Sequence, residues 1–455
     1  MWLELFRRGL APVTLTACLG EGVSALNTFL VSTAMPLAVR DLGGIRYLAW
    51  TTTVFLVAAM VAGAATGFLK GQMGARRLLL GASLLFFIGT LVAGAAPSML
   101  AILAGRALQG AGEGVIAAAC YTLVIELLPQ ALVPKSFGVM AVVWAIAAFG
   151  GPLLGGIMTE LFSWRAAFLV NVPIILAFTA LVMRAVPRGG ARQPSASLPF
   201  ARLLGIAGGI MLIAIAAVSE GRLAAAALIV LGLAILVAVT LADRRAAVRL
   251  FPGDAFSLKT TVGAGLWVVL LMPLAQSSTS VYLPISIQSL WGYSPTEAGA
   301  LIAMMAVSWS GTAMLVALPR DSRFAVPLIR IGAVLLVLGM IGVAIAVPGR
   351  LPVLLAICQV LNGAGFGVGW GYLNQAVAMG ASPAERDLAS ALVPTTQSAG
   401  YAIGAAVAGL VANASGYSGA LATHGSAAMA AWIFGVGAAI ATIAVLASFR
   451  VRPVA

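Results

Sequence analysis

The sequence has very little charge for its length. Only 9% of its 455 residues are Asp, Glu, Lys or Arg, whereas about 25% is usual in a soluble domain. At the same time, 62% of the residues are hydrophobic. A soluble fold could not cover that much apolar surface, so the composition excludes a soluble globular protein, a disordered chain and a coiled coil. It is typical of a polytopic membrane protein.

Cysteine and histidine are also scarce. Cys18, Cys120 and Cys358 all lie inside apolar segments, and His424 is the single histidine. They offer no disulfide framework and no metal-ligand spacing, and no Gly-x-x-x-x-Gly-Lys-Ser/Thr phosphate loop occurs. We therefore predict no metal, no cofactor, no ATP hydrolysis and no enzymatic activity. Energy for any transport would come from an ion gradient or from the substrate's own gradient.

Long apolar runs are what the sequence does contain. A membrane-spanning helix needs about 20 mostly apolar residues, and continuous runs of this length exclude a transmembrane barrel. The sequence predicts fourteen such helices, at residues 12–36, 47–69, 77–95, 99–127, 137–160, 165–186, 201–219, 223–242, 260–286, 295–318, 325–347, 352–379, 388–413 and 426–449. The predicted fold class is therefore all-α integral membrane, with short loops.

Basic residues are unevenly distributed among the predicted connections. If both termini lie inside, only Arg40, Arg46, Arg165, Arg222 and Arg350 fall in outer connections, and most other Lys and Arg residues fall in inner ones. Basic residues that set the orientation in the membrane account for the net charge of +13. A nucleic-acid partner is therefore not needed to explain this charge, and none is predicted. The uneven distribution predicts a multi-pass protein of the cell (inner or plasma) membrane with cytoplasmic N- and C-termini.

The chain also repeats itself. Residues 106–115 (RALQGAGEGV) align with residues 359–368 (QVLNGAGFGV), and glycines of helices 5 and 13 keep the same offset. We predict two six-helix repeats in parallel orientation, 1–188 and 258–455, with a two-helix insert at 199–243. The alternative is that glycine-rich helices resemble one another by composition alone.

Four motifs occur in order. Their residues are Gly67, Gly74, Arg76 and Arg77 between helices 2 and 3; Arg106, Gln109, Gly110 and Gly112 in helix 4; Gly151, Pro152, Gly155 and Gly156 in helix 5; and Trp164, Arg165, Phe168, Asn171 and Pro173 opening helix 6. Their spacing resembles the major facilitator superfamily, in particular its fourteen-helix drug/proton antiporter branch. The resemblance implies that the helix 5 glycines and proline form an antiporter motif and that Glu126 and Arg77 form an inner gate pair. For Glu126, a charge that anchors the helix end is the alternative.

Two positions depart from that family pattern. Gly71 stands where the loop motif usually has an acidic residue, and Asn27 stands where the drug-antiporter motif of helix 1 usually has Asp. The first departure removes the acidic residue of the family's inter-domain charge latch. The second removes the acidic residue that would support a multidrug assignment made by motif alone.

Three ionisable residues lie deep in predicted helices, namely Glu21, Arg106 and Glu113. Charged groups inside a membrane are costly, so they are candidates for function. Arg106 precedes Glu113 by about two turns on the same face. Burial opposes the charged carboxylate and a guanidinium favours it, so Glu21, Glu113 and Arg106 are candidate proton-coupling residues. The alternatives are a static Arg106–Glu113 ion pair, and a Glu21 carboxyl bonded to Ser24 or wetted by the cavity.

The second half has no acidic residue deep in a helix. Its polar and aromatic residues, with Asn27 of helix 1, suit a wide and mostly apolar substrate cavity. These cavity candidates are Asn27, Gln276, Tyr282, Asn362, Phe366, Trp370, Asn374 and Gln397. A single aromatic residue is more often lipid-facing or part of the core.

We therefore interpret the chain as a proton-coupled secondary transporter that exports hydrophobic or cationic small molecules by alternating access, as a monomer in the lipid bilayer. A dedicated exporter of one metabolite or lipid is the main alternative, and a proton-coupled uptake symporter is a weaker one. A receptor or a membrane enzyme would not need the repeat symmetry.

Overall fold

The computed structural model describes residues 2–7, 9–129, 132–188, 199–219, 221–246, 249–316, 324–383, 385–417 and 427–452. These residues are almost entirely helical and include no strand. His424 lies outside the described residues.

Fifteen α-helices follow one another in these residues. They are α1 (Ala11–Leu42), α2 (Leu48–Met73), α3 (Ala75–Gly94), α4 (Met99–Leu127), α5 (Val133–Leu161), α6 (Trp164–Leu169), α7 (Asn171–Ala185), α8 (Phe200–Val218), α9 (Arg222–Asp243), α10 (Thr261–Trp291), α11 (Pro295–Val316), α12 (Ala325–Gly349), α13 (Pro352–Gly380), α14 (Arg386–Ala414) and α15 (Ala427–Ser448). Short 3-10 turns at Trp2–Phe6 and Ile45–Tyr47 precede α1 and α2.

These helices confirm the all-α membrane fold. Because α6 and α7 together form one span, the helices make fourteen segments, as the apolar runs predict. Thirteen of the segments are long and apolar enough to cross a membrane, and α14 is a 29-residue helix of more polar composition.

The first and ninth segments extend further than predicted. α1 continues past Pro36 to Leu42, and α10 continues past Pro284 to Trp291. A proline removes one backbone hydrogen bond, but the neighbouring residues here are buried and the remaining bonds hold the helix. The prediction that both helices end near their proline is therefore wrong.

The chain divides into two compact units. Unit 1 comprises Met1–Gly44 and Val54–Leu203, and unit 2 comprises Ile45–Thr53 and Leu204–Ala455. In unit 1, α1 packs against α4, α5 and α7, while α3 packs against α4 and α7. In unit 2, α10 packs against α13, α14 and α15, while α12 packs against α13 and α15. The same neighbours thus recur in the two halves of the sequence repeat.

The predicted insert, α8 and α9, follows the first repeat along the chain. The indole Nε1 of Trp50 donates to the carbonyl oxygen of Ala214 at 2.9 Å, and Asn413 Nδ2 donates to that of Ala217 at 2.7 Å. All four residues belong to unit 2, so α8 packs within that unit. The boundaries 1–188, 199–243 and 258–455 themselves stay a prediction.

Alternate glycines of α4 make close helix contacts possible. A methyl group at Gly110 or Gly114 would overlap the backbone carbonyl of Phe55 or Ala59 on α2. A methyl group at Gly112, on another face of α4, would lie 2.6 Å from the carbonyl oxygen of Ala82 on α3. Because these positions have no side chain, α4 approaches two helices at once.

The repeated segment of unit 2 makes the equivalent contacts. Methyl groups at Gly363 and Gly367 of α13 would overlap the carbonyls of Met305 and Trp309 on α11. One at Gly365 would lie 2.8 Å from the carbonyl oxygen of Gly332 on α12. The glycine spacing that marks the sequence repeat therefore has a packing reason in both halves.

Candidate functional site

A polar network is buried where α1 meets α4. The Glu113 carboxylate, 6% exposed, accepts hydrogen bonds from Ser24 Oγ at 2.7 Å and from Asn27 Nδ2 at 3.0 Å. Ser24 and Asn27 are one turn apart on α1, so they face the same carboxylate. Each oxygen of Glu113 has its own donor, Oε1 from Ser24 and Oε2 from Asn27.

Arg106 extends this network by two turns along α4. Its Nη1 donates to Asn27 Oδ1 at 3.3 Å and to Gln109 Oε1 at 2.9 Å, and its guanidinium carbon lies 3.9 Å from the centroid of the Phe55 ring. Gln109 Nε2 in turn donates to Thr90 Oγ1 at 3.0 Å. The side chain of Arg106 is thus buried with partners rather than left bare in the membrane.

Asn27 joins the guanidinium of Arg106 to the carboxylate of Glu113. It is fully buried, its amide oxygen accepts from Arg106, and its amide nitrogen donates to Glu113. Both ends of its side chain are therefore committed to the network, and its assignment to a substrate cavity stays a prediction. A neutral amide serves here as a bridge because it both donates and accepts.

Glu21 lies two turns before Phe29 on α1 and faces α5. Its Oε1 accepts from the indole Nε1 of Trp144, and its Oε2 has no hydrogen-bond partner in the part of the chain that the structure describes. The side chain is 5% exposed, whereas Trp144 is 37% exposed and packs edge-to-face against Phe29. Ser24 is not the partner of Glu21, as one reading of the sequence expected, because its hydroxyl donates to Glu113.

The glycines and proline of the helix 5 motif lie against α1. A methyl group at Gly151 would lie 2.6 Å from Cβ of Phe29, and one at Gly155 would lie 2.8 Å from the Leu30 carbonyl oxygen. Pro152 and Gly156 are buried in α5 as well. The motif therefore brings α5 close to the helix that carries Glu21 and Asn27.

The loop motif between α2 and α3 is built around a tight turn. Gly74 has a φ of +81°, which a glycine adopts without strain, and its N–H donates to the Lys70 carbonyl at 2.8 Å. Arg76 donates to the Val186 carbonyl at 3.5 Å, while a side chain at Gly67 would meet open space.

Glu126 pairs with a different cation from the one expected. Its carboxylate forms an ion pair with Lys70 Nζ, whereas Arg77 is exposed in the first turn of α3. The predicted Glu126–Arg77 pair is therefore wrong. Lys70 lies in the last turn of α2, and its side chain extends to Glu126 at the end of α4.

We predict that reversing the Lys70–Glu126 pair has a modest effect. Lys70→Glu and Glu126→Lys should each slow transport, and the double variant should recover part of the rate. The two side chains are 19% and 52% exposed, and such pairs couple by about 0.2–1 kcal/mol, which is at most about five-fold in rate. The measurement is a double-mutant cycle on transport rate, with the similarly exposed Glu4–Lys135 pair as control. A double variant no faster than the slower single variant would show that the two charges do not act as a pair in transport.

Three aromatic residues cluster in unit 2. Trp309 stacks on Phe366 with ring centroids 4.6 Å apart, and Trp370 lies 5.5 Å from Phe366. On the neighbouring α10, Gln276 Nε2 lies 2.9 Å from the sulfur of Met305, and Gln276 Oε1 has no hydrogen-bond partner among the described residues. In the sequence repeat Phe366 occupies the position of Glu113, so an aromatic stack replaces the buried carboxylate in this half.

The other cavity candidates are not part of that cluster. Tyr282 is fully buried and packs edge-to-face on Tyr417 at 5.9 Å, and Asn362 is fully buried against Gly339 of α12. Both side chains lie in helix interfaces within unit 2, and their assignment to a cavity lining stays a prediction. Asn374 is half-buried, and its amide oxygen has no hydrogen-bond partner among the described residues. The half-buried Gln397 bonds to Tyr401.

Sequence reasoning missed an ionic cluster at the far end of α1. Asp41 Oδ2 accepts from Trp164 Nε1 and from Arg165 Nη1, each at 3.0 Å, and Arg165 Nη2 donates to the Ala96 carbonyl at 3.2 Å. The available signal was an acidic residue ending helix 1 beside the Trp-Arg pair that opens helix 6. Trp144, the partner of Glu21, had no comparable signal.

Comparisons with known proteins agree with this architecture. The family model described as Major Facilitator Superfamily matches residues 17–197. A protein of Mycobacterium tuberculosis named "Probable multidrug-efflux transporter" is 31% identical over 471 residues, which cover 99% of this chain and 96% of the relative. "Multidrug resistance protein 3" of Bacillus subtilis is 24% identical over 413 residues, 88% of this chain and 79% of that protein.

Solved structures share the fold at low sequence identity. The D-xylose–proton symporter superposes with a TM-score of 0.66 at 19% identity, and the match covers 98% of each chain. At this identity the similarity concerns the fold alone.

Proposed function

Because the chain belongs to the major facilitator superfamily, and is thus a multi-pass membrane transporter of small molecules rather than an enzyme, we propose that it exports hydrophobic or cationic compounds in exchange for protons. The observation that carries this proposal is the pair of carboxylates, Glu21 and Glu113, buried in the membrane-spanning helices α1 and α4. Buried carboxylates in membrane helices are costly and serve typically in proton relays.

The contacts of Glu113 would couple a proton to the helices. As a carboxylate it accepts from Ser24 and Asn27, but once protonated its hydroxyl becomes a donor. The protonated oxygen would face a donor, so the contact with Ser24 or Asn27 has to change. Since Asn27 also accepts from Arg106, a proton on Glu113 would alter how α1 is held against α4.

Glu21 is suited to the exchange of a proton for the substrate. One of its oxygens accepts from Trp144, and the other has no partner among the described residues. A proton can bind to that free oxygen without breaking a hydrogen bond of the protein. A cationic substrate near Glu21 would favour the carboxylate and displace this proton, which amounts to exchange by competition.

The substrate class rests on two further observations. The aromatic cluster Trp309, Phe366 and Trp370 offers apolar ring faces for hydrophobic groups and cations. The relative named as a probable multidrug-efflux transporter covers nearly the whole chain. We propose alternating access as the transport mechanism, with both termini cytoplasmic in the inner or plasma membrane. A monomeric state and the absence of nucleic-acid binding stay predictions.

A narrower exporter of one metabolite or lipid is the second candidate. It is favoured by Asn27, which replaces the acidic residue of the drug-antiporter motif and is fully committed to the charge network. Competition among chemically unrelated compounds separates the two candidates. Mutual inhibition by several lipophilic cations supports the broad exporter, and inhibition by close analogues alone supports the narrow one.

The test of the proposal is transport in proteoliposomes under an imposed pH gradient. A fluorescent lipophilic cation should accumulate only while the gradient lasts and should leak back when a protonophore is added. Glu21→Gln and Glu113→Gln should each lower the gradient-dependent rate. If the rate does not depend on the gradient, exchange for protons is wrong. If both variants transport like the wild type, the assignment of these proton sites is wrong.

A further inference from the structure

An open apolar groove on unit 2 is lined by residues that include one positively charged side chain. It has a volume of about 370 Å³ and is lined by Pro327, Arg330, Ile331, Val334 and Leu335 of α12 and by Phe449, which follows α15. Arg330 is the single charged residue among the described residues of this lining. It lies in the second turn of α12.

Arg330 has no anionic partner among the residues that the structure describes. Its guanidinium carbon lies 5.0 Å from the centroid of the Phe449 ring, which covers one face of the cation. Its Nε is buried without a hydrogen-bond partner, and no described carboxylate forms an ion pair with it. An arginine in this position is costly unless something outside the chain supplies negative charge and hydrogen-bond acceptors.

The groove opens onto a lipid-facing apolar stripe. Ile331, Val334, Leu338, Ile341 and Ile345 recur at helical spacing along α12, and each is at least 40% exposed. At 1.5 Å per residue the stripe is about 21 Å long, longer than one leaflet of about 15 Å of hydrocarbon. On α15, Ile443 and Leu446 are also more than half exposed, next to Phe449.

The charged residues that the structure describes at this end of α12 and α15 are all basic. Neither α12 nor α15 contains an acidic residue, and Phe449 is followed by Arg450 and Arg452, both exposed. In the proposed orientation, with both termini cytoplasmic, this end of both helices lies at the cytoplasmic leaflet, which carries anionic lipids.

We propose that this groove is a binding site for an anionic phospholipid. The lipid phosphate lies on the guanidinium of Arg330, which presents a planar fork suited to phosphate oxygens. One acyl chain lies in the groove and continues along the α12 stripe. A free phosphate would satisfy Arg330 but would leave the apolar groove uncovered, so the two parts together indicate a lipid.

The experiment measures lipid binding to delipidated, purified protein by native mass spectrometry. The probes are phosphatidylglycerol, phosphatidylcholine with matched acyl chains, and glycerol phosphate. The wild type should retain phosphatidylglycerol preferentially, and Arg330→Gln should bind it about five-fold more weakly, as the loss of one basic residue at an anionic surface implies. Arg386→Gln, an exposed arginine at the start of α14, serves as the matched control and should bind like the wild type.

Ile331→Trp tests the acyl part independently of the charge. A larger side chain in the groove should weaken binding of phosphatidylglycerol while Arg330 is intact. Equal binding by Arg330→Gln and the wild type, or an equal loss in Arg386→Gln, would overturn the site. Competition by glycerol phosphate as strong as by the lipid would identify a free-phosphate site and would also overturn it.

Discussion

Replacing Glu113 by Gln should remove the gradient-dependent part of transport while leaving a folded protein. Glutamine has nearly the same shape but cannot bind and release a proton at neutral pH. Its amide oxygen can still accept from one of the two donors, Ser24 or Asn27, so one hydrogen bond of the site is lost. That loss is expected to cost about 1–3 kcal/mol of stability, which a folded transporter should tolerate.

The expected result for Glu113→Gln is accumulation no greater under a pH gradient than without one. Glu126→Gln is the matched control, because this carboxylate is 52% exposed at a helix end and forms an ion pair with Lys70, outside the hydrogen bonds of Glu113. It should keep the gradient dependence with at most a small change in rate. Thermal unfolding of both variants in detergent verifies that they are folded. Accumulation by Glu113→Gln at the wild-type level would show that Glu113 does not carry the proton.

Adding a single methyl group at Gly110 or Gly363 should strongly destabilise the protein. A Cβ at Gly110 would overlap the Phe55 carbonyl, and one at Gly363 would overlap the Met305 carbonyl. The obstructing atoms are backbone, so the helices themselves must separate, and overpacking of this kind typically costs about 1–3 kcal/mol. Around Gly110 the shift would also displace the Phe55 ring from Arg106.

The measurement is the thermal unfolding midpoint and the yield of monodisperse protein for Gly110→Ala and Gly363→Ala. Gly81→Ala and Gly371→Ala are the controls, because a methyl group there meets no atom within 4 Å. Alanine favours a helix by up to about 1 kcal/mol over glycine, so the controls should be as stable as the wild type or more stable. Equal midpoints for all four variants would refute the close-contact account of the repeat.

The helices could be predicted from the sequence, but most of the partners could not. An apolar run of about 20 residues is a local property, so the segment at 99–127 coincides with α4. Pro36 misled the prediction for α1, because burial of the following residues outweighs one lost hydrogen bond. Local signals describe each helix and not its neighbours.

In the candidate site, too, the charged residues could be predicted from the sequence but their partners could not. The rarity of charge in helices singled out Glu21, Arg106 and Glu113, but nothing in the sequence indicated that Asn27 would join two of them. Lys70, which precedes the turn at Gly74, pairs with Glu126, whereas Arg77, which follows that turn, does not, and no local pattern distinguishes these two cations. Which face of a helix meets which neighbour depends on packing across the whole unit.

The central claim is that substrate and protons move in opposite directions through the same cycle. The most direct measurement is the pH inside proteoliposomes when a lipophilic cation is added outside, with no pH gradient imposed. Entry of the cation should drive protons out and raise the internal pH in wild-type vesicles, and Glu113→Gln should abolish this change. Uptake of the cation by wild-type protein without any change of internal pH would contradict the account.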